Sequence, residues 1–167
     1  MKPELSPPPE AGPEPVDLTA VRVGVDLTAV SEVADSVAKL GDRYLHRLFT
    51  EHELASCRGA DGPRTESLAA RFAAKEAALK VLRPVGPRPE WRDIEVRRND
   101  DGSCDLQLHG GAATLAAARG VEHLSVSLSH HSGLAVAVVA GTCRPGEAVG
   151  PGAVTATGSM RKARRRG

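Results

Sequence analysis

The chain predicts an α+β domain, and three observations carry that expectation. Residues 65–82 are rich in Ala and free of Gly and Pro, the composition of a long helix. Residues 21–26, 91–98 and 124–129 alternate apolar side chains with polar or small ones, the period of a half-buried strand. Residues 124–129 and 134–140 are separated by His131-Ser132-Gly133, a turn that folds the last strands into an antiparallel hairpin.

At 167 residues the chain can bury one real core but hardly two. With two Phe, one Tyr and one Trp, that core must be filled by Val, Leu and Ala. Net charge is +1, unevenly spread: residues 1–20 carry −3 and residues 144–167 carry +5, which leaves −1 between them. Residues 1–19 read as a disordered Pro/Glu-rich leader and residues 143–167 as a disordered basic tail, with the folded domain at 20–142. No aromatic lies near the Arg-rich C-terminus, so a solvated tail is expected there rather than a nucleic-acid site.

Cys57, Cys104 and Cys143 are odd in number and widely spaced, without zinc-ligand spacing or a disulfide framework. A reducing, cytoplasmic setting is expected. The N-terminus lacks the order of a signal peptide, no apolar run could span a bilayer, and no membrane partner is expected.

Taken in order, Val21–Asp26 alternates with Val21, Val23 and Val25 on one face and Arg22, Gly24 and Asp26 on the other. Residues 29–41 predict a helix stopped by Gly41. Thr50-Glu-His-Glu53 has the capping-box form and opens a short helix through Cys57. The helix over 65–82 cannot continue through Pro84, Pro87 and Pro89. Trp91–Arg98 and Cys104–His109 form strands around the turn signal Asp101-Gly102. Residues 110–119 predict a helix ended by Gly120.

Three features carry chemistry. Glu76 falls on the stripe Leu68, Phe72, Leu79, Leu82, where a carboxylate needs a compensating partner. Lys80, four residues on, could make it an ordinary helical ion pair. Asp26 ends a strand beside Gly24, as a turn or N-cap residue does. If Asp26 and Glu76 meet, however, they form an oxygen-rich site suited to Mg²⁺. Ser127-Leu-Ser129-His130 is either the polar outer face of a strand or a phosphate holder. Arg71 and Lys75 flank Glu76 and could face a polyanion.

Gly24-Val-Asp26, Arg71-Phe-Ala-Ala-Lys-Glu-Ala77 with Lys80, and Ser127-Leu-Ser-His130 together resemble the holo-acyl-carrier-protein synthases, the small stand-alone class of 4'-phosphopantetheinyl transferases. The resemblance covers roughly residues 21–141 and implies a long helix packed on an antiparallel sheet. It implies transfer of 4'-phosphopantetheine from coenzyme A to a serine of an apo acyl carrier protein, releasing 3',5'-ADP. Asp26 and Glu76 would hold Mg²⁺, Arg71, Lys75 and Lys80 the phosphates, and Lys80 would help the hydroxyl lose its proton. Ser129 and His130 would contact CoA from a neighbouring subunit of a homotrimer. The family's basic carrier-docking residue is replaced here by Glu32, with Asp35 nearby, while Arg43 and Arg47 remain as docking charges. A Mg²⁺-dependent pyrophosphate hydrolase would need a further carboxylate cluster to activate water, and a binding module would rest on the tail alone.

Overall fold

The described residues are arranged around one Ala-rich helix lying on a three-stranded sheet. The computed structural model describes residues 21–144. In chain order the elements are β1 (Val21–Ala29), α1 (Val30–Leu40), α2 (Asp42–Leu48), α3 (Glu51–Ser56), the short pair β2 (Arg58–Gly59) and β3 (Gly62–Pro63), α4 (Thr65–Leu82), β4 (Ile94–Arg98), β5 (Cys104–Leu108), α5 (Gly110–Ala118), β6 (Val121–His131) and β7 (Leu134–Cys143). The main sheet is antiparallel in the order β1-β7-β6, and β4 pairs with β5 as a separate hairpin. The α+β class is as expected.

Local chemistry sets most boundaries where the sequence placed them. Gly41 ends α1 with φ 51°, and Thr50 with Glu53 closes a full capping box on α3. The composition of residues 65–82 coincides with α4, which stops at Arg83 in a left-handed conformation just before Pro84. Several details differ: β1 continues past Asp26 to Ala29, so Asp26 lies within the strand rather than at its end. Residues 42–48, unassigned by periodicity, form α2, which buries Leu45 and Leu48. Residues 91–93 make a 3-10 turn, so the next strand starts only at Ile94. Strand β7 runs through Cys143, one residue past the expected domain edge. The expected leader, and the tail beyond Arg144, lie outside the described residues.

Helix α4 is buried nearly all round, with Ala69, Ala70, Ala73, Ala74, Ala77 and Ala78 all inaccessible. Small side chains let it approach the sheet closely, and two glycines complete the fit. A Cβ on Gly141 would lie 2.6 Å from Val81 Cγ1, and one on Gly24 would collide with the Ala77 carbonyl. Beyond its first turn, the line Phe72, Glu76, Lys80 is the least buried part of α4, so Glu76 sits at the rim of the core rather than on a buried stripe.

The face of β1 that α4 covers is the one carrying Arg22, Gly24, Asp26 and Thr28. The apolar alternation therefore points outward: Val23, Val25 and Leu27 are 60%, 51% and 62% exposed. Their register partners Ala140, Val138 and Val136 on β7, and Ser125, Ser127 and Ser129 on β6, extend the same outer face.

A polar brace ties β4 to its neighbours. Glu95 accepts from Thr50 Oγ1 at 2.7 Å and Arg97 Nε at 3.2 Å, and lies 3.0 Å from His109 Nε2. Burial would raise its carboxyl, but hydrogen bonds from Thr50, His109 and Arg97 outweigh that and hold it down to about 2. A carboxyl depressed on folding stabilises the native state above its ordinary range, and that contribution is lost as pH falls towards 2. Thermal melts should therefore show Glu95→Gln less stable than wild type at neutral pH, with the two converging as pH falls from 4.5 to about 2. Parallel curves across that window would refute the brace.

Candidate active site at the α4–β1 seam

Where α4 crosses β1, Gly24 lets the helix backbone rest on the strand, and Lys80 Cβ would stand 3.1 Å from a Cβ there. From this point Lys80 Nζ donates to the Val25 carbonyl at 2.5 Å and to Asp26 Oδ1 at 2.8 Å. Thr28 Oγ1 donates to Asp26 Oδ2 at 3.3 Å. Asp26 is thus no N-cap: α1 is capped by Ala29, without a side-chain bond. Nor is Lys80 the helical partner of Glu76, because its ammonium is turned to Asp26.

Glu76 lies one turn before Lys80, about 40° round the helix, at the rim of the same seam. It is half-buried, and among the described residues no hydrogen bond or ion pair engages its carboxylate. A partly desolvated carboxylate with no partner there, on the helix that also presents Lys80 to Asp26, can accept a cation from outside the chain. Among the described residues no cluster of three or more His, Cys, Asp or Glu could hold a metal by itself. Two carboxylates suit Mg²⁺, which keeps waters and takes ligand phosphates for the rest of its shell. The donor set fits that ion.

A second part of the site lies further along α4. Arg71, Ser129 and His130 line one cavity of 270 Å³ together with Ser67 and Arg98, and no carboxylate lines it. Arg71 is 4% exposed; it donates to the Ser67 carbonyl at 3.2 Å and to Ser56 Oγ at 2.9 Å. Its buried Nε has no partner among the described residues. Arginines, a His and hydroxyls without a carboxylate make a cavity for an anion. Ser127 and Ser129 share the outer sheet face, in register with Val138 and Val136; Ser129 borders the cavity at its edge and Ser127 does not line it. Two larger cavities, of 650 Å³ beside α2 and α3 and 620 Å³ between α5 and β6, contain none of these residues. Volume is a poorer guide here than charge.

Lys75 corrects an expectation. Its ammonium is inaccessible and donates to Glu53 Oε2 at 2.9 Å, to the Trp91 carbonyl at 3.0 Å and to the Ile94 carbonyl. All three N–H groups are spent inside the protein, so Lys75 cannot reach a bound phosphate. Burial pushes its pKa down, and Glu53 opposes that shift. Periodicity does not reveal this partner, since a capping box by itself accounts for Glu53. Sequence reading also missed Arg98 and Ser67, because only the hairpin and the start of α4 bring them to His130.

The residues at positions 22–139 match a family model, the 4'-phosphopantetheinyl transferase superfamily. A holo-[acyl-carrier-protein] synthase of Chloroflexus aurantiacus is 44% identical over 128 residues, covering 70% of this chain and 93% of that protein. Another from Herpetosiphon aurantiacus is 41% identical over 125 residues, covering 71% and 95%. Among solved structures, the ACPS–CoA complex of Chronobacterium ammoniagenes superposes with a TM-score of 0.66 at 31% identity, covering 75% of this chain and 98% of that one.

The seam depends on Gly24 having no side chain. Gly24→Ala should lift α4 from β1, at a cost of about 1–3 kcal/mol in denaturant unfolding. It should also break the Lys80–Asp26 contact. An unchanged unfolding midpoint would show that α4 does not rest on this residue.

Proposed function

The chain belongs to the 4'-phosphopantetheinyl transferase superfamily, in its holo-acyl-carrier-protein synthase type, and on that premise we propose that the α4–β1 seam is where it moves the 4'-phosphopantetheine of CoA to a serine of an apo acyl carrier protein. The observation that carries this reading is the pair Asp26 and Glu76, one held by Lys80 and the other without a partner among the described residues. Asp26 and Glu76 would hold Mg²⁺, which when bound supplies positive charge to the phosphate oxygens. In the reaction the serine hydroxyl gives up its proton to water and its oxygen bonds to the phosphorus next to pantetheine. The bond from that phosphorus to the bridging oxygen of the pyrophosphate breaks, and 3',5'-ADP departs with that oxygen.

Charge on the transferring phosphoryl group is the main obstacle, and no protein nucleophile is needed. Lys80, half-exposed and fixed by Asp26, presents an ammonium that favours loss of the serine proton. Arg71, Ser129 and His130 hold the remaining phosphate of CoA in their carboxylate-free cavity. Arg43 and Arg47 stand exposed on α2 and supply positive charge towards a carrier, while Glu32 and Asp35 stand exposed on α1 and oppose it. The three free cysteines suit a cytoplasmic, reducing setting, and no helix among the described residues is long and apolar enough to cross a membrane.

A homotrimer explains two further facts. The outer sheet face exposes Val23, Val25, Leu27 and Val138 as one apolar patch, which is costly in water. In addition, Arg71 and Lys80 lie nine residues apart on α4, about 14 Å along its axis. Bringing the anion cavity of one protomer beside the Asp26 seam of the next would make a compact site between copies.

Incubated with CoA, Mg²⁺ and an apo acyl carrier protein, the purified chain should add the mass of phosphopantetheine to the carrier. Glu76→Ala should slow this about a hundredfold or more. A folded wild-type protein that modifies no carrier in a broad panel would defeat the reading. For the assembly, light scattering should give three times the 17.5 kDa chain mass, and Val25→Lys with Val138→Lys should give monomers of low activity. A fully active monomer would exclude the shared site.

A further inference from the structure

Half of the buried positions of helix α4 are alanines, each offering one methyl group to its neighbours. Such shallow knobs interlock weakly, and uniform packing of this kind leaves alternative arrangements close in energy. A roll of one residue is about 100° and would carry Glu76 and Lys80 off the β1 seam. Gly24 fixes how closely α4 lies on β1, and a buried polar pair can add a directional constraint on its roll.

Lys75 supplies that direction. It lies about 100° round from Glu76, and its buried ammonium is fixed by acceptors from two other parts of the fold. One is Glu53 on α3; the others are the carbonyls of Trp91 and Ile94 at the approach to β4. Glu53 is equally fixed, accepting from Thr50 N at 2.8 Å and from Val96 N at 3.0 Å. Any other roll would leave a buried ammonium and a buried carboxylate unpaired, which is strongly unfavourable. We propose that the Glu53–Lys75 pair sets the roll of α4 and so presents Glu76 and Lys80 to Asp26. Both are positioning residues: neither touches substrate, and the claim rests on the transferase reading of the seam.

The double variant Glu53→Gln, Lys75→Met removes both charges at nearly constant volume, so it should still fold cooperatively. Trp91, the chain's single tryptophan, reports the roll directly. Its carbonyl accepts from Lys75, and its ring lies 5.3 Å from Phe72 on α4. The double variant should shift Trp91 emission, and calorimetry should show the gain in CoA affinity on adding Mg²⁺ reduced about tenfold or more. Lys75→Met alone should lose the same gain and melt lower still, because it leaves the Glu53 charge buried without its ion-pair partner. A folded double variant with unchanged emission and an unchanged Mg²⁺-dependent gain would overturn the proposal; should the double variant not fold, Glu53→Gln alone is judged by the same criterion. If wild type itself shows no Mg²⁺-dependent CoA binding, the functional reading fails instead. Trp91 emission then decides the roll by itself, an unshifted spectrum overturning it.

Discussion

The contact between the Ala77 carbonyl and Gly24 is the constraint on which the rest depends. A helix can lie this close to a strand only when the strand residue beneath has no side chain and the helix face is methyl-sized. That closeness has two consequences. It turns the Gly24-Asp26-Thr28 face of β1 inward, bringing Asp26 under Lys80. It also turns Val23, Val25 and Leu27 outward, so one contact creates both the site and the apolar face.

Two lysines five residues apart on the same helix have opposite fates, and their surroundings decide which is which. Lys80 reaches a rim where water is present; it neutralises Asp26 yet remains half-exposed. Lys75 points into the body of the protein, where an ammonium survives only with its donors all used. A phosphate-binding role needs a donor to spare, and Lys80 and Arg71 are placed to provide one. Arg71 is held by Ser56 and the Ser67 carbonyl, with its Nε still uncommitted among the described residues. The buried pair and the open pair are complementary: one fixes the helix, the other uses the position so fixed.

Much of the fold was legible in the sequence where local chemistry decides it. Helix α4, the Thr50 box, the Gly41 stop and the final hairpin rest on composition, capping and turn residues acting over a few positions. Asp26, Glu76, Lys80, Arg71 and His130 can be named as a candidate set only through their resemblance to a family pattern. Long-range choices were not legible. Alternation in Val21–Asp26 reveals two faces but not which one a helix will cover, and here the apolar face stays outside. Glu53 satisfied a local motif and thereby concealed its second partner, since Oε2 accepts from both Thr50 N and Lys75.

Register carries the final step. Asp26 stands opposite Ala137 and Leu128, whereas Thr28 stands opposite Ala135 and His130, so β7 always separates the acidic seam from the His130 edge within one chain. Small residues on β7 at Ala135 and Ala137 leave room for α4 but offer no polar group to bridge the two halves. A single protomer therefore carries both halves without joining them across the sheet. The face that could join them between copies is the one left apolar when Gly24 drew α4 to the other side.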